Sequence, residues 1–213
     1  MKSKFFMDKI IIVGAGGLGN HLKNNLNKFL KKNYLFDGFI DKDKKLKTKY
    51  NDQNILKYIN KNYYFVNGIG NFAFNWYPKV FLNYKKKGFK FLKLFHESSI
   101  ISNNSSIGEG SLVMENALIK SNSKVGKFCL VNSSSIISHD VTVGNFCNIS
   151  LGAKVGGNVK IGNNTFLGMN STVIQGVKIG SNSIIGAGAV VTKNIGNNVV
   201  AIGNPVFEYR ENK

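Results

Sequence analysis

Every sixth residue from Ile101 to Val191 is a branched aliphatic side chain. The series runs Ile101, Ile107, Val113, Ile119, Val125, Val131, Ile137, Val143, Ile149, Val155, Ile161, Leu167, Val173, Ile179, Ile185 and Val191 without a break. If such residues filled about a quarter of positions at random, the run would have a chance on the order of 10⁻¹⁰. A second column stands four residues after each aliphatic: Ser105, Ser111, Ala117, Ser123, Cys129, Ser135, Val141, Cys147, Ala153, Val159, Thr165, Ser171, Val177, Ser183 and Ala189, all small or β-branched. A chain that turns a corner every six residues would point one aliphatic and one small residue inward on each side, and three sides close a coil of 18. Gly108, Gly126, Gly144, Gly162 and Gly180 recur at that spacing, where stacked corners need either φ > 0 or close backbone approach. The expected architecture is a parallel β-helix of about five coils, each burying its aliphatic sides on its neighbours. Cys129 and Cys147 both fall in the small inward column, 18 residues apart. They are expected to stack as small hydrophobes.

Residues 1–95 have a different pattern. KIIIVGAGGLG, residues 9–19, reads as a buried strand entering a glycine-rich turn, with a helix from about residue 20 to 32. YLFDGFIDKD supplies a second strand ending at Asp41, a helix is expected near 52–61, NYYFVNGIGN gives a third strand ending at Gly70 and Asn71, and a helix over about 74–87 precedes the strand FKFLKLF. Strands alternating with helices imply a parallel sheet with right-handed crossovers. The fold class is therefore an α/β N-terminal Rossmann-like half domain, residues 1–95, followed by a β-helix, residues 96–213. Gly14-Ala15-Gly16-Gly17-Leu18-Gly19 matches G-x-G-x-x-G after a strand, and Asp41 lies at the distance expected of a ribose contact. By itself the motif suggests a dinucleotide. About 95 residues supply only one mononucleotide-sized half, which favours a nucleotide or nucleotide-sugar whose phosphates face the backbone N–H groups of the turn and the helix N-terminus, with a merely structural glycine turn as the alternative.

Charge divides between the halves. Residues 1–95 hold 20 Lys and 5 acids, the remainder 8 Lys, 1 Arg and 6 acids, so +15 of the total +18 belongs to the first half. Nucleic-acid binders combine Lys with Arg and stacking aromatics, whereas Arg210 is the one arginine here and 30 Asn accompany the lysines. That enrichment is also what an AT-rich genome produces, and nucleic acid is not an expected partner. A solvated basic surface, or one that attracts polyanionic small molecules or an anionic membrane face, is the simpler reading. The apolar run in MKSKFFMDKIIIVG is too short for a signal segment, and no stretch approaches the 18 apolar residues of a membrane span. Two cysteines match neither a zinc spacing nor a disulfide framework. A cytoplasmic protein without an integral membrane segment is expected.

A small Rossmann-like domain joined to a hexapeptide β-helix resembles the sugar acyltransferases of the sialic-acid O-acetyltransferase and bacillosamine N-acetyltransferase group. The segments that carry the resemblance are GAGGLG with the later FID and NGIGN, NSSSIISHDVTVGNFCNISLGAKVGGNVKIG, and IGAGAVVTKNI with AIGNP. It implies a left-handed coil, acetyl-CoA as co-substrate, a UDP-linked or similarly activated amino-deoxy sugar as acceptor, sites between the subunits of a homotrimer, and a role in lipopolysaccharide or other surface glycan synthesis. O-acetylation of a sialic-acid-like sugar is a second activity of the same scaffold, and a non-catalytic sugar-nucleotide-binding β-helix protein is the non-enzymatic alternative. A hydratase of the carbonic-anhydrase type would need three histidine ligands, and the repeats hold one histidine. No metal is expected.

Acyl transfer near neutral pH benefits from a base with a pKa near 7, and the chain has three histidines. His21 lies in the helix after the glycine turn and His96 at the domain junction, where structural roles are expected. His139 stands two residues after inward Ile137 and two before inward Val141, so it faces outward or sits at a corner. It lies in the matching SHD segment, which makes it the expected base. Asp140, where the resembling enzymes carry a carboxylate, would orient or polarise the imidazole. Many of those enzymes have a second histidine where this chain has Asn148, an amide that can donate to a thioester carbonyl and cannot act as acid or base. By resemblance the acetyl end of acetyl-CoA meets Asn148 and the N–H of Gly157, and its pantetheine arm passes Met169 and the Gly186-Ala187 corner. Gly16, Gly17, Leu18, Asp41, Lys42, Gly70 and Asn71 fall at the C-terminal ends of parallel strands, where open α/β sheets bind ligands. Matching positions in the resembling enzymes hold the nucleotide-sugar.

Overall fold

A computed structural model describes residues 8–30, 34–51, 54–58, 63–70 and 76–212. The periodic segment winds into a left-handed parallel β-helix of triangular section. Its first face carries rungs from Leu94–Phe95 through Leu112–Val113, Leu130–Val131, Asn148–Ile149, Phe166–Leu167 and Ile184–Ile185 to Val199–Gly203. The second runs from Ile100–Ile101 to Val190–Val191, and the third from Ser106–Ile107 to Lys178–Ile179. The first face thus begins one rung before the aliphatic series. Phe95 stands six residues ahead of Ile101 and packs on the same core, but as an aromatic it is missed by a count of aliphatics. The last coil is two residues short, because Ile179 bridges to Ile195 and Ile185 pairs with Ala201. This shortening ends the six-residue step after Val191. Val199–Gly203 then pairs antiparallel with Val206–Glu211.

Inside the prism both columns are buried, the aliphatic one from Val113 and the small one from Ser111. The small residues also bind coil to coil: Ser111 Oγ donates to Gly126 O at 2.8 Å and Ser123 Oγ to Ser138 O at 2.6 Å. Cys129 and Cys147 use their thiols in the same position, donating to Gly144 O and Gly162 O at 3.0 Å. Burial pushes the Cys147 thiol pKa up, which keeps it an inert packing group.

The corners account for part of the asparagine content. The third residue after most of the aliphatics takes a left-handed conformation, and Asn116, Asn122, Asn158, Asn164, Asn170, Asn182 and Asn198 hold it with φ between 53° and 61°. Asparagine tolerates this region better than other L-residues. Its amides also stack between coils, Asn164 Nδ2 donating to Asn182 Oδ1 at 3.1 Å. The glycines at 18-residue spacing answer to close approach instead. A Cβ on Gly108, Gly126, Gly144, Gly162 or Gly180 would lie 2.5–2.6 Å from atoms of the next coil.

The N-terminal segment forms a parallel sheet in the order β2-β1-β3, with β1 at Lys9–Val13, β2 at Leu35–Ile40 and β3 at Tyr63–Asn67. The helix expected over 20–32 starts earlier, as α1 (Gly17–Asn24), and breaks before α2 (Leu26–Phe29) at Asn25, whose φ of −121° and ψ of 17° leave the helical region while its side chain donates to His21 O. The segment read as a helix near 52–61 contains a 3₁₀ turn at Ile55–Tyr58, with 52–53 and 59–62 outside the described residues. α3 spans Trp76–Lys86. FKFLKLF is not one strand. Phe91 makes a single parallel bridge to Phe65, and Leu94–Phe95 already pairs with Leu112–Val113. The segment divides between two sheets because the chain passes there from one to the other.

Two apolar clusters hold the sheet on the β-helix. Ile10, Ile12 and Leu22 pack on Leu94, Leu112 and Leu130, which face outward from the first face. On the other side Tyr77, Phe81, Phe89 and Phe91 enclose Phe128, a corner residue only 2% exposed with φ 54°. The C-terminal ends of β1, β2 and β3 are thereby brought against the middle coils of the first face.

Candidate active site

The glycine turn separates into glycines the fold requires and glycines it does not. Gly14 has φ +104°, and a Cβ on Gly19 would meet Gly14 O at 2.0 Å. Those positions serve the turn and the close packing of helix on strand. At Gly16 and Gly17 a Cβ would meet nothing within 4 Å. Their bare backbone faces open space at the N-terminus of α1, where N–H groups are free of intrahelical partners. Asp41, just beyond β2, braces this turn: its Oδ2 accepts Ala15 N–H at 2.7 Å and its Oδ1 accepts Asp43 N–H at 2.9 Å. Asp41 also borders this open space.

That space is a cavity of about 1090 Å³ between the sheet and the β-helix. From the sheet side Gly16, Gly17, Leu18, Asp41, Lys42 and Gly70 contribute to its wall; from the coils come Asn148, Met169 and Ala187. Candidate residues separated by up to about 170 positions therefore share one cavity. Asn148 is 4% exposed on the first-face rung Asn148–Ile149. Leu151, Met169 and Ala187, each 18 residues apart, stack along the edge between the first and second faces, with Leu151 and Met169 half exposed. Gly186 lies behind this edge, where a Cβ would meet Ile202 Cγ2 at 2.8 Å. Asn71 lies outside the described residues. Trp76, Leu151 and Phe166 also line the cavity and were not singled out from the sequence. Two of them were reachable by the 18-residue step, Phe166 from Asn148 and Leu151 from Met169.

His139 and Asp140 sit elsewhere. They occupy the turn between the second-face rung Ile136–Ile137 and the third-face rung Thr142–Val143. Asp140 takes the left-handed corner position with φ 58°, and this turn lets adjacent side chains meet, His139 Nδ1 lying 2.8 Å from Asp140 Oδ2. Asn122, one coil below, also donates to Asp140 Oδ1 at 3.1 Å. These hydrogen bonds, the one from His139 first, hold the Asp140 carboxyl below its ordinary pKa. One coil above, Gly157 lies under the imidazole: a Cβ there would come within 2.7 Å of Cε1 and 2.8 Å of Nε2. With Nδ1 held against the carboxylate, Nε2 is the ring nitrogen whose lone pair a general base would use. The side chain is 55% exposed and points away from the core. Within one chain His139, Asp140 and Gly157 thus share one edge of the prism, and Asn148, Met169 and Ala187 belong to the cavity beside another.

The other histidines act between the two parts of the chain. His21 Nε2 lies 2.6 Å from Glu115 Oε1, and the His96 ring packs edge-on against Phe29 at 5.0 Å. Burial raises the Glu115 pKa, but hydrogen bonds from Ser133, its own backbone and His21 outweigh this and leave it lowered. Among the described residues no group of three His, Cys, Asp or Glu is placed to hold a metal ion, and no helix is long and apolar enough to cross a membrane.

The bacterial transferase hexapeptide family (six repeats) matches residues 158–193. No curated protein matches the chain by sequence. Among solved structures the chain is similar to PerB from Caulobacter crescentus in complex with CoA and GDP-perosamine, with a TM-score of 0.85 and 26% identity, covering 95% of this chain and 97% of that one. It is similar to the acetyltransferase domain of PglB from Neisseria gonorrhoeae in complex with acetyl coenzyme A, with a TM-score of 0.83 and 26% identity over 95% of this chain and 100% of that one. WeeI from Acinetobacter baumannii matches with a TM-score of 0.82 and 26% identity, over 95% and 100% of the respective chains. These similarities bear out the resemblance carried by the sequence motifs.

Proposed function

We propose that this chain transfers the acetyl group of acetyl-CoA to the amino group of a nucleotide-linked amino-deoxy sugar, and that it does so as a homotrimer in the cytoplasm, for surface glycan synthesis. The observation that carries the reading is the single cavity whose one wall is an open glycine turn and whose other is a set of β-helix coils, in a chain that aligns over 95% of its length with an enzyme solved with CoA and GDP-perosamine. Gly16 and Gly17 amides suit the diphosphate, and Asp41 with Lys42 suits the nucleoside end. The stacked apolar edge of Leu151, Met169 and Ala187 suits the extended pantetheine arm.

In the proposed reaction the neutral amine attacks the thioester carbonyl and forms the C–N bond. His139 Nε2 takes the proton that the nitrogen loses, while Asp140 accepts the Nδ1–H bond and favours the resulting imidazolium. Gly157 N–H and the Asn148 amide are suited to donate to the developing oxyanion. The C–S bond then breaks, the proton passes from His139 to the departing sulfur, and CoA and the N-acetyl sugar are released. The separation of the His139 edge from the cavity supports assembly: a cyclic trimer sets the His139 edge of one copy against the cavity of its neighbour.

The test is CoA release by the purified chain with acetyl-CoA and UDP-, dTDP- and GDP-linked 4-amino sugars, alongside calorimetric binding of the same sugars and of free sialic acid. Turnover with a nucleotide-linked amine and a trimer by light scattering are expected. Acetylation of free sialic acid in preference to any nucleotide-linked amine would replace the N-acetyl reading by the O-acetyl one. An active monomer at micromolar concentration would overturn the assembly.

A further inference from the structure

The only tryptophan of the chain, Trp76, is 46% exposed, and it lines the cavity. Large aromatic side chains are costly to leave half in water. Its neighbour Tyr77, by contrast, is fully buried and locks the first turn of α3 in place: Asn67, the last residue of β3, donates to the Tyr77 hydroxyl at 2.7 Å, and that hydroxyl donates to Phe128 O at 3.2 Å. Trp76 is therefore presented to the cavity from a rigid support at the β3 margin of the sheet.

The strand order β2-β1-β3 gives this position a meaning. The glycine turn follows β1 in the centre. Asp41 and Lys42 follow β2 at one margin, and Ile69, Gly70 and Trp76 occupy the other. A nucleotide-sugar whose diphosphate lies on the central turn must send its nucleoside to one margin and its sugar to the other. The Asp41 margin offers a carboxylate and an ammonium for ribose and base. The Trp76 margin offers Ile69, Val80 and an indole face, which match the C–H face of a pyranose ring better than a hydrogen-bonding base edge. Resting on the nucleotide-sugar reading above, we infer that Trp76 stacks on the acceptor sugar ring and so positions its amine, leaving the nucleoside to the opposite margin.

Because Trp76 is the sole tryptophan, its fluorescence reports this contact without labelling. Titration with a nucleotide-amino sugar should change the emission, and the matching nucleoside diphosphate alone should bind with little change. Trp76→Ala should raise KM for the nucleotide-sugar about tenfold, leave KM for acetyl-CoA within about twofold, and be largely rescued by Trp76→Phe. An equal response to the nucleoside diphosphate would place the base, not the sugar, on Trp76 and overturn the inference. Calorimetric binding of the nucleotide-sugar with silent fluorescence and an unchanged KM in Trp76→Ala would overturn it while leaving the proposed function intact. Absence of nucleotide-sugar binding by the wild-type chain would remove both.

Discussion

Gly157→Ala tests the proposed catalytic corner without deleting any of its chemical groups. The new methyl would sit 2.7 Å from His139 Cε1 and 2.8 Å from Nε2, whereas ordinary contact begins at 3.4 Å, so the ring must retreat by at least about 0.7 Å. It cannot do so freely, because Nδ1 is tied to Asp140 Oδ2 at 2.8 Å and Asp140 is set by a left-handed corner. The imidazole either stretches that bond or rotates, and in both cases Nε2 leaves its position. A misplacement of that size costs about 10² in kcat. His139 is 55% exposed, so the displacement disturbs no core and the melting temperature should hardly change. The alanine keeps its N–H, so a role of residue 157 limited to oxyanion donation predicts near-normal turnover. Measured as CoA thiol release at saturating substrates, kcat should fall about 100-fold with both KM values nearly constant. A kcat within twofold of wild type would refute the idea that the bare glycine exists to seat the imidazole.

Asp140→Asn should lower kcat by about 10–10² across pH 6–8 without unfolding the protein. The Asp140 carboxyl is held below its ordinary value by His139 and Asn122. Its stabilising contribution is therefore fully present above the unfolded value of about 4 and is lost only as pH falls through the lowered folded value, so no activity limb near neutrality should belong to it. Gly17→Val projects into open space and should raise KM for the nucleotide-sugar while melting normally. Gly19→Ala, whose Cβ would meet Gly14 O at 2.0 Å, should destabilise by about 1–3 kcal/mol in urea titrations. Phe128→Ala removes a ring from the aromatic cluster and should cost about 3–5 kcal/mol. Since residue 128 has φ 54°, Phe128→Gly should be less damaging than Phe128→Ala by about 1 kcal/mol, the reverse of the usual order.

The β-helix was legible because each side of each coil poses the same packing problem, so one short rule repeats until it is unmistakable. The N-terminal segment was less so. Its core is completed by Phe128, Leu112 and Leu130 from the coils, and no local window of residues 1–95 contains those partners. Short helices such as α2 and the 3₁₀ turn at Ile55–Tyr58 are held by this packing more than by propensity. Among the candidate site residues, His139 could be singled out because an outward histidine in a regular series has no core role, and Gly16 and Gly17 because they stand in a known phosphate-binding spacing. Trp76 was hidden, since a tryptophan near other aromatics reads as core until its exposure is seen. The corner on which each residue lies was available from the spacing. His139 and Gly157 differ by 18 and share an edge, whereas His139 and Leu151 differ by 12 and do not.

That difference leads to a test of the assembled site. If each centre combines the His139 edge of one copy with the cavity of the next, two variants that fail for different reasons should repair each other in mixed trimers. His139→Ala lacks the base and keeps the cavity; Gly17→Val keeps the base and, assayed well below its raised KM, has no working acceptor site. In a randomly mixed 1:1 population, a given cavity is intact in half the cases and faces an intact His139 in half of those. Co-expressed and purified together, the pair should therefore recover about a quarter of wild-type activity, although each alone is nearly inactive. Were base and cavity supplied by the same chain, no combination would hold an intact centre, and the mixture would stay as inactive as its components. Mixed trimers verified by mass spectrometry that nonetheless fail to turn over would overturn the shared-site arrangement, even if the trimer itself were confirmed.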